Sequence, residues 1–247
     1  MPTLPYRAFD ENTWRKLIGP ALRVVDSLEE AGYGKLDFRL GGGTVLMFRF
    51  DHRISKDIDI FTHDAQALAY LSPRLNGIAE RESPLGYEEQ ANAVKLLLPD
   101  GDVDFIVAAP VIPDAPYATM TIDGRDVVLD ATSEILAKKL LYRADGFKAR
   151  DAFDMSVALA LDAPSAVAAL AATTRTRPAL LRRLADMAKV PEADLLRDVV
   201  MTKAGQPHAV GMVAKLLDAV ANVDGPRTGR LPARRIVRRG RDDDREM

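Results

Sequence analysis

Two aspartates alternate with two isoleucines in the stretch Asp57-Ile58-Asp59-Ile60-Phe61, and few local patterns leave a chain so little choice of conformation. Successive side chains of a strand point to opposite faces, so Ile58 and Ile60 enter a core while Asp57 and Asp59 stand together on the other side. Like charges at that separation repel, and a fold keeps such a pair when it is exposed or when a cation lies between. Magnesium suits the second case, because it takes hard oxygen ligands, commonly one or two carboxylates plus substrate phosphates. Upstream, Gly41-Gly42-Gly43-Thr44 supplies a turn whose backbone a phosphate can approach without meeting a Cβ. Thr44 adds a hydroxyl at a helix start, where N–H groups are free. Downstream, Asp104 opens the apolar run Phe105-Ile106-Val107, with Asp102 two positions earlier on the same face. If that strand lies beside the Asp57 strand, Asp104 completes a triad able to hold two metals for in-line displacement at phosphorus. The plainer alternative puts Asp102 in a turn and makes Asp104 a solvated strand end.

The rest of the chain is compatible with an enzyme that works on phosphates. With 34 basic and 36 acidic residues, a net charge of −2 excludes a generally cationic nucleic-acid coat, so any polyanion must meet a local patch. A hydrophobic share of 47% over 247 residues is ample for a buried core. With no cysteine, disulfides, thiolate zinc sites and thiol nucleophiles are excluded together, and a cytoplasmic setting is expected. Residues 1–10 lack the apolar core of a secretory signal. The most apolar stretch, 157–172, is interrupted by Asp162 and Pro164, so no membrane association is expected.

Patterning divides the chain. Residues 11–31 carry apolar positions at helical spacing, 38–40 read as a strand, 45–50 as a helix start, and 58–61, 93–98 and 103–108 as strands. The last two pair across a Pro99-Asp100-Gly101 turn. From 133 onward, the segments 133–143, 150–161, 164–173, 178–188, 191–202 and 209–223 read as helices, several opening with proline. The expected architecture is α/β (α+β): a mixed-sheet domain over 1–128, a helical domain over 129–224 that completes an active-site cleft, and an Arg- and Asp-rich, disordered tail over 225–247.

The run Gly42-Gly43-Thr44 followed by Arg53-x-Ser55-x-Asp57-Ile58-Asp59 resembles the signature of the nucleotidyltransferase AbiEii/AbiGii toxin family, within the DNA polymerase β-like nucleotidyltransferase fold. Glu134-Ile135-Leu136-Ala137-Lys138-Lys139-Leu140, then Arg150-Asp151-Ala152-Phe153-Asp154-Met155, is similar to the family's later motifs. The resemblance spans about residues 38–160. It implies that Gly42, Gly43, Thr44, Ser55, Lys139 and Arg150 bind a nucleoside triphosphate, and that Asp57, Asp59 and Asp104 hold Mg2+, or Mn2+ in its place. Lys139 meets the triphosphate, with Lys138 as the alternative register. Asp151 and Asp154, on one helix face, either accept a proton from the attacking hydroxyl or orient Lys139 or Arg150, and Asp151 is preferred as catalytic. Where many relatives carry a serine beside the glycine, this chain has Gly43, which shifts phosphate contacts toward backbone N–H groups. The family further implies transfer to the 3′ end of tRNA and a cognate antitoxin. A small-molecule or protein acceptor, and a non-catalytic nucleotide- or partner-binding module, are the alternatives.

Other residues read more simply. Arg49 and Arg53 are nucleotide contacts or ion-pair partners in equal measure. His52, His63 and His208 lack metal-ligand spacing and are expected at the surface or behind the site. Trp14, Phe48, Phe50 and Phe61 fit core positions. Arg175, Arg177, Arg182, Arg183 and Lys189 form either an RNA-binding patch or a solvated helix face.

Overall fold

In the computed structural model, which describes residues 13–223, seven strands form one mixed sheet flanked by helices. The first half runs α1 (Thr13–Glu30), β1 (Phe38–Leu40), α2 (Gly42–Phe50), β2 (Ile58–Thr62), α3 (Ala67–Leu71), α4 (Gly77–Glu82), β3 (Tyr87–Gln90), β4 (Ala93–Leu98), β5 (Gly101–Val107), β6 (Ala118–Ile122) and β7 (Arg125–Leu129). The second half is α5 (Thr132–Tyr142), α6 (Ala149–Leu161), α7 (Ala163–Ala172), a 3₁₀ turn, α8 (Arg177–Met187), α9 (Glu192–Leu195), α10 (Gln206–Ala209) and α11 (Met212–Asn222). Strand order is β3-β4-β5-β2-β1-β7-β6. The β2–β5 and β1–β7 pairs are parallel and the others antiparallel.

Alternation decides the two faces of the central strands. Ile58 and Ile60 of β2, Val94 and Leu96 of β4, and Val103 and Phe105 of β5 are all buried, and α1 covers this region with Trp14, Leu17, Ile18, Val24, Val25 and Leu28. The opposite positions, Asp59, Phe61, Lys95 and Asp104, face a cavity. One hydrophobic cluster runs from Trp14 in α1 to Val220 in α11, so both halves share a core.

Several details differ from the sequence-based expectations. Residues 191–202 do not form one helix: α9 ends at Leu195, and the chain then extends so that Ile54 N–H donates to the Val200 carbonyl (2.9 Å) and Thr202 N–H to the His52 carbonyl (3.1 Å). The backbone of 52–54 needs partners, and the β-branched Val199 and Val200 favour the extended form that supplies them. The segment 209–223 breaks at Gly211, whose φ of 70° separates α10 from α11. The short helices α3 and α4, strand β3 and the β6–β7 hairpin carry no earlier assignment. The hairpin turns on Asp123-Gly124, both at positive φ (49° and 80°), the conformation that an Asp-Gly pair favours in a two-residue loop. Phe61 is not a core residue; its ring lines the cavity. The tail over 225–247 lies outside the described residues. Among the described residues no helix is long and apolar enough to cross a membrane.

A buried ionic cluster ties the segment after α2 to α5 and α6. Asp154 Oδ1 accepts from Arg53 Nε (2.5 Å) and His52 Nε2 (2.7 Å), and Oδ2 from Arg53 Nη2 (2.9 Å) and Lys139 Nζ (3.0 Å). Burial by itself would push the Asp154 carboxyl up, but the Arg53 and Lys139 charges and the hydrogen bonds from Arg53 and His52 hold it well below the ordinary carboxylate range. Burial pushes the His52 imidazole down, so the ring is neutral; it donates from Nε2 and leaves Nδ1 as an unpaired buried lone pair.

A carboxyl depressed on folding contributes stability that is present above its unfolded pKa of about 3.9 and lost as pH falls through its folded value. Urea melts of the wild type will therefore show unfolding free energy declining below pH about 4. Asp154→Asn, which leaves Arg53 without its buried counter-charge, will cost about 3–5 kcal/mol at neutral pH and flatten that acid decline.

Candidate active site

The cavity encloses about 530 Å³ between the polar face of the sheet and the helical half. One wall is acidic. Asp57 precedes β2, Asp59 lies within it, and Asp104 of β5 is the register partner of Asp59 in the parallel pair, so their side chains share a face. The opposite wall is cationic: Lys138 and Lys139 on α5, Arg143 just after it, then Lys148 and Arg150.

Gly42 and Gly43 form the floor and open α2 rather than forming a turn before it. Gly42 adopts φ +66°, and a Cβ there would fall 1.8 Å from Asp59 Oδ2. Only glycine lets the backbone meet the carboxylate this closely. A Cβ on Gly43 would fall 2.5 Å from Arg53 Nη2 and 2.9 Å from Ser55 Oγ, so Arg53 and Ser55 pack directly beneath the helix start. Asp57, Asp59, Asp104, Gly42, Gly43, Ser55, Lys139 and Arg150 all line the cavity.

Three anticipated residues do not. Thr44 is fully buried, its hydroxyl donating to the Asp57 carbonyl (2.5 Å). Asp151 is buried beneath Lys139, accepting from its Nζ (2.5 Å) and from Lys148 N–H (3.2 Å), and Asp154 is clamped as described above. Both aspartates thus touch Lys139. Arg53 pairs with Asp154 and also lines the cavity, and Arg49 donates to the Asp130 carbonyl (2.5 Å) and to Thr132 Oγ1 (3.1 Å).

The acidic wall is under electrostatic tension. Burial pushes the Asp59 carboxyl up, with Asp57 adding to the shift and Lys139 and Arg143 opposing it. Burial and the neighbouring Asp59 push Asp104 up to about 6. Among the described residues no three acidic or histidine side chains converge as a ready metal cage. Paired oxygen donors that are penalised for sharing charge nevertheless fit a hard divalent cation, which needs only one or two carboxylates beside phosphate.

Lys138, the alternative register to Lys139, also lines the cavity, while Tyr142 and Lys95 escaped the sequence reading. Lys138 sits 3.9 Å over the Phe61 ring and pairs with Asp130 (2.6 Å). Tyr142, 59% exposed, stands beside Arg143 at the cavity. Lys95 reaches Asp104 and Asp102, both at 3.2 Å, and its position follows from the hairpin register once the turn at Pro99-Asp100 is fixed. The arginines of α8 are partly engaged within the protein: Arg177 donates to the Val223 carbonyl, Arg183 to that of Phe147, and Arg182 pairs with Asp145. His52 stands behind the cavity against Asp154.

The family model "Nucleotidyl transferase AbiEii toxin, Type IV TA system" matches residues 28–227. Among solved structures, MenT4, a nucleotidyltransferase toxin from Mycobacterium tuberculosis H37Rv, aligns at 14% identity and a TM-score of 0.43, covering 88% of this chain and 91% of its own. An antigenic nucleotidyltransferase-like protein from Paracoccidioides brasiliensis aligns at 18% identity and a TM-score of 0.36, covering 79% and 96%. A search of curated proteins returns no match. With the family model covering most of its length, the chain belongs to the nucleotidyltransferase AbiEii toxin family of type IV toxin–antitoxin systems and is a transferase.

Proposed function

We propose that this chain transfers a nucleoside monophosphate from a nucleoside triphosphate to the 3′ hydroxyl of tRNA, with magnesium, as the toxin of a cytoplasmic toxin–antitoxin pair. The observation that carries the reading is the opposition of charge across one cavity: Asp57, Asp59 and Asp104 on the sheet face Lys139, Arg143 and Arg150 on the helical side. Phosphoryl chemistry needs both, since the attacking hydroxyl must be aligned with the α-phosphate while cations offset the negative charge that accumulates on the departing pyrophosphate.

The N–H groups of Gly42 and Gly43, free at the start of α2, receive phosphate oxygens. Lys139 meets the triphosphate, held at a fixed angle by Asp151 and Asp154, while Arg143 and Arg150 offset the charge that develops there. Asp57 and Asp59, with Asp104 as the third donor, would hold magnesium or manganese. Such an ion supplies Lewis-acid polarisation of the α-phosphate and neutralises the acidic wall. Thr44 fixes the entry to β2 through the Asp57 carbonyl, and Ser55 lines the floor. Tyr142, Lys148 and Arg150 offer a stacking face and cations to a single-stranded RNA end. Membership of a type IV family supports a cognate antitoxin as partner.

Purified protein with magnesium and α-labelled nucleoside triphosphates will label total tRNA, and Asp57→Asn/Asp59→Asn will reduce labelling by roughly a hundredfold or more. Label on a small molecule or protein instead would keep the chemistry and remove the tRNA acceptor. Absence of label from every acceptor would favour a binding module. Gly42→Ala will lower stability by about 1–2 kcal/mol through its left-handed backbone. The same substitution will reduce transfer more than this loss of folded protein explains, because the new methyl displaces Asp59; thermal melts beside initial rates check both.

A further inference from the structure

One row of side chains crosses four strands on the cavity face: Glu88 of β3 opposite Lys95 of β4, Lys95 opposite Asp104 of β5, and Asp104 opposite Asp59 of β2. All four line the cavity. Their charges alternate until the last pair, where two carboxylates stand directly opposite with no side-chain cation between them in the row, an arrangement that costs stability in a sheet. Lys95 Nζ lies 3.2 Å from Asp104 Oδ2 and also 3.2 Å from Asp102 Oδ2. The ammonium is thus shared between a carboxylate of the acidic wall and one that does not line the cavity.

We propose that Lys95 is a tethered competitor for the divalent cation: its ammonium covers Asp104 in the cation-free protein and withdraws to Asp102 when the cation binds. The inference rests on the cation reading given above. Three observations support it. An ammonium is a compact point charge on a flexible four-carbon stem, so it can leave Asp104 without moving the strand. The side chains of Lys95 and Asp102 are 28% and 35% exposed, so the exchange takes place in partly wet surroundings where ion pairs are weak. Asp102 remains a partner after the exchange, so only one of two ion pairs is given up. Lys95 is therefore a positioning residue: it keeps the acidic wall from standing uncompensated before substrate arrives, and Asp102 sets how readily it yields.

Manganese binding to the full-length chain, followed by the paramagnetic resonance signal of free Mn2+, tests this without reference to turnover. Lys95→Met and Lys95→Gln will each tighten binding roughly fivefold, and Asp102→Asn will weaken it by a similar factor. In the Lys95→Met background, Asp102→Asn will change nothing, because Asp102 acts through the lysine. If the two substitutions instead contribute independently, both charges act on the ion through space and the competitor role is overturned. Binding that is unmoved by Lys95→Met overturns it as well. If neither the wild type nor any variant binds Mn2+, the cation reading itself fails, an outcome distinct from binding that is present but insensitive to Lys95.

Discussion

A carboxylate excluded from water must be neutralised or fully paired, and Asp154 is satisfied on both oxygens by groups from two other segments. Arg53 and His52 reach it from the chain after α2, and Lys139 from α5, while Asp154 itself sits on α6. The same Arg53 packs beneath Gly43 at the start of α2, and the same Lys139 projects into the cavity. One buried charge therefore fixes the helix start that offers free N–H groups and the cation that faces it. The backbone pairing of 52–54 with 200–202 closes the arrangement from outside.

Around this cluster the protein separates charge. The central strands bury isoleucine, valine, leucine and phenylalanine on one face and carry aspartate and lysine on the other, so the acidic wall is as rigid as the sheet. The cations opposite come from α5, the turn following it and the start of α6. Lys139 is held by two buried aspartates, whereas Arg143, Lys148 and Arg150 lie nearer to solvent. Rigid carboxylates with more adaptable cations suit a site whose substrate carries most of its negative charge on a flexible triphosphate.

The alternation of Asp57 to Ile60 made β2 readable, and the Pro99-Asp100 turn made the β4–β5 hairpin readable, because both signals are local. Of the residues that the family motifs singled out, all but Thr44, Asp151 and Asp154 line the cavity. Those three could not be told from lining residues in the sequence: a threonine at a helix start and two aspartates three apart look alike whether they face a ligand or a neighbouring backbone. Phe61 was misread for the related reason that an aromatic ring in a strand suits either face. The segment 191–202 was misread because the partner that holds its end extended, the backbone of 52–54, lies about 150 residues away in the chain.

By itself the sequence determined the local elements whose periodicity is strong, the mixed α+β character, and the carboxylate and glycine positions of the candidate site, since each follows from steric and hydrophobic patterning within a few residues. Only the tertiary structure decided that Asp104 lies beside Asp59, that Lys95 completes their row, and that Asp151 and Asp154 turn inward to hold Lys139. These depend on strand order and on where buried charges find partners, and both are settled by contacts between segments far apart in the chain.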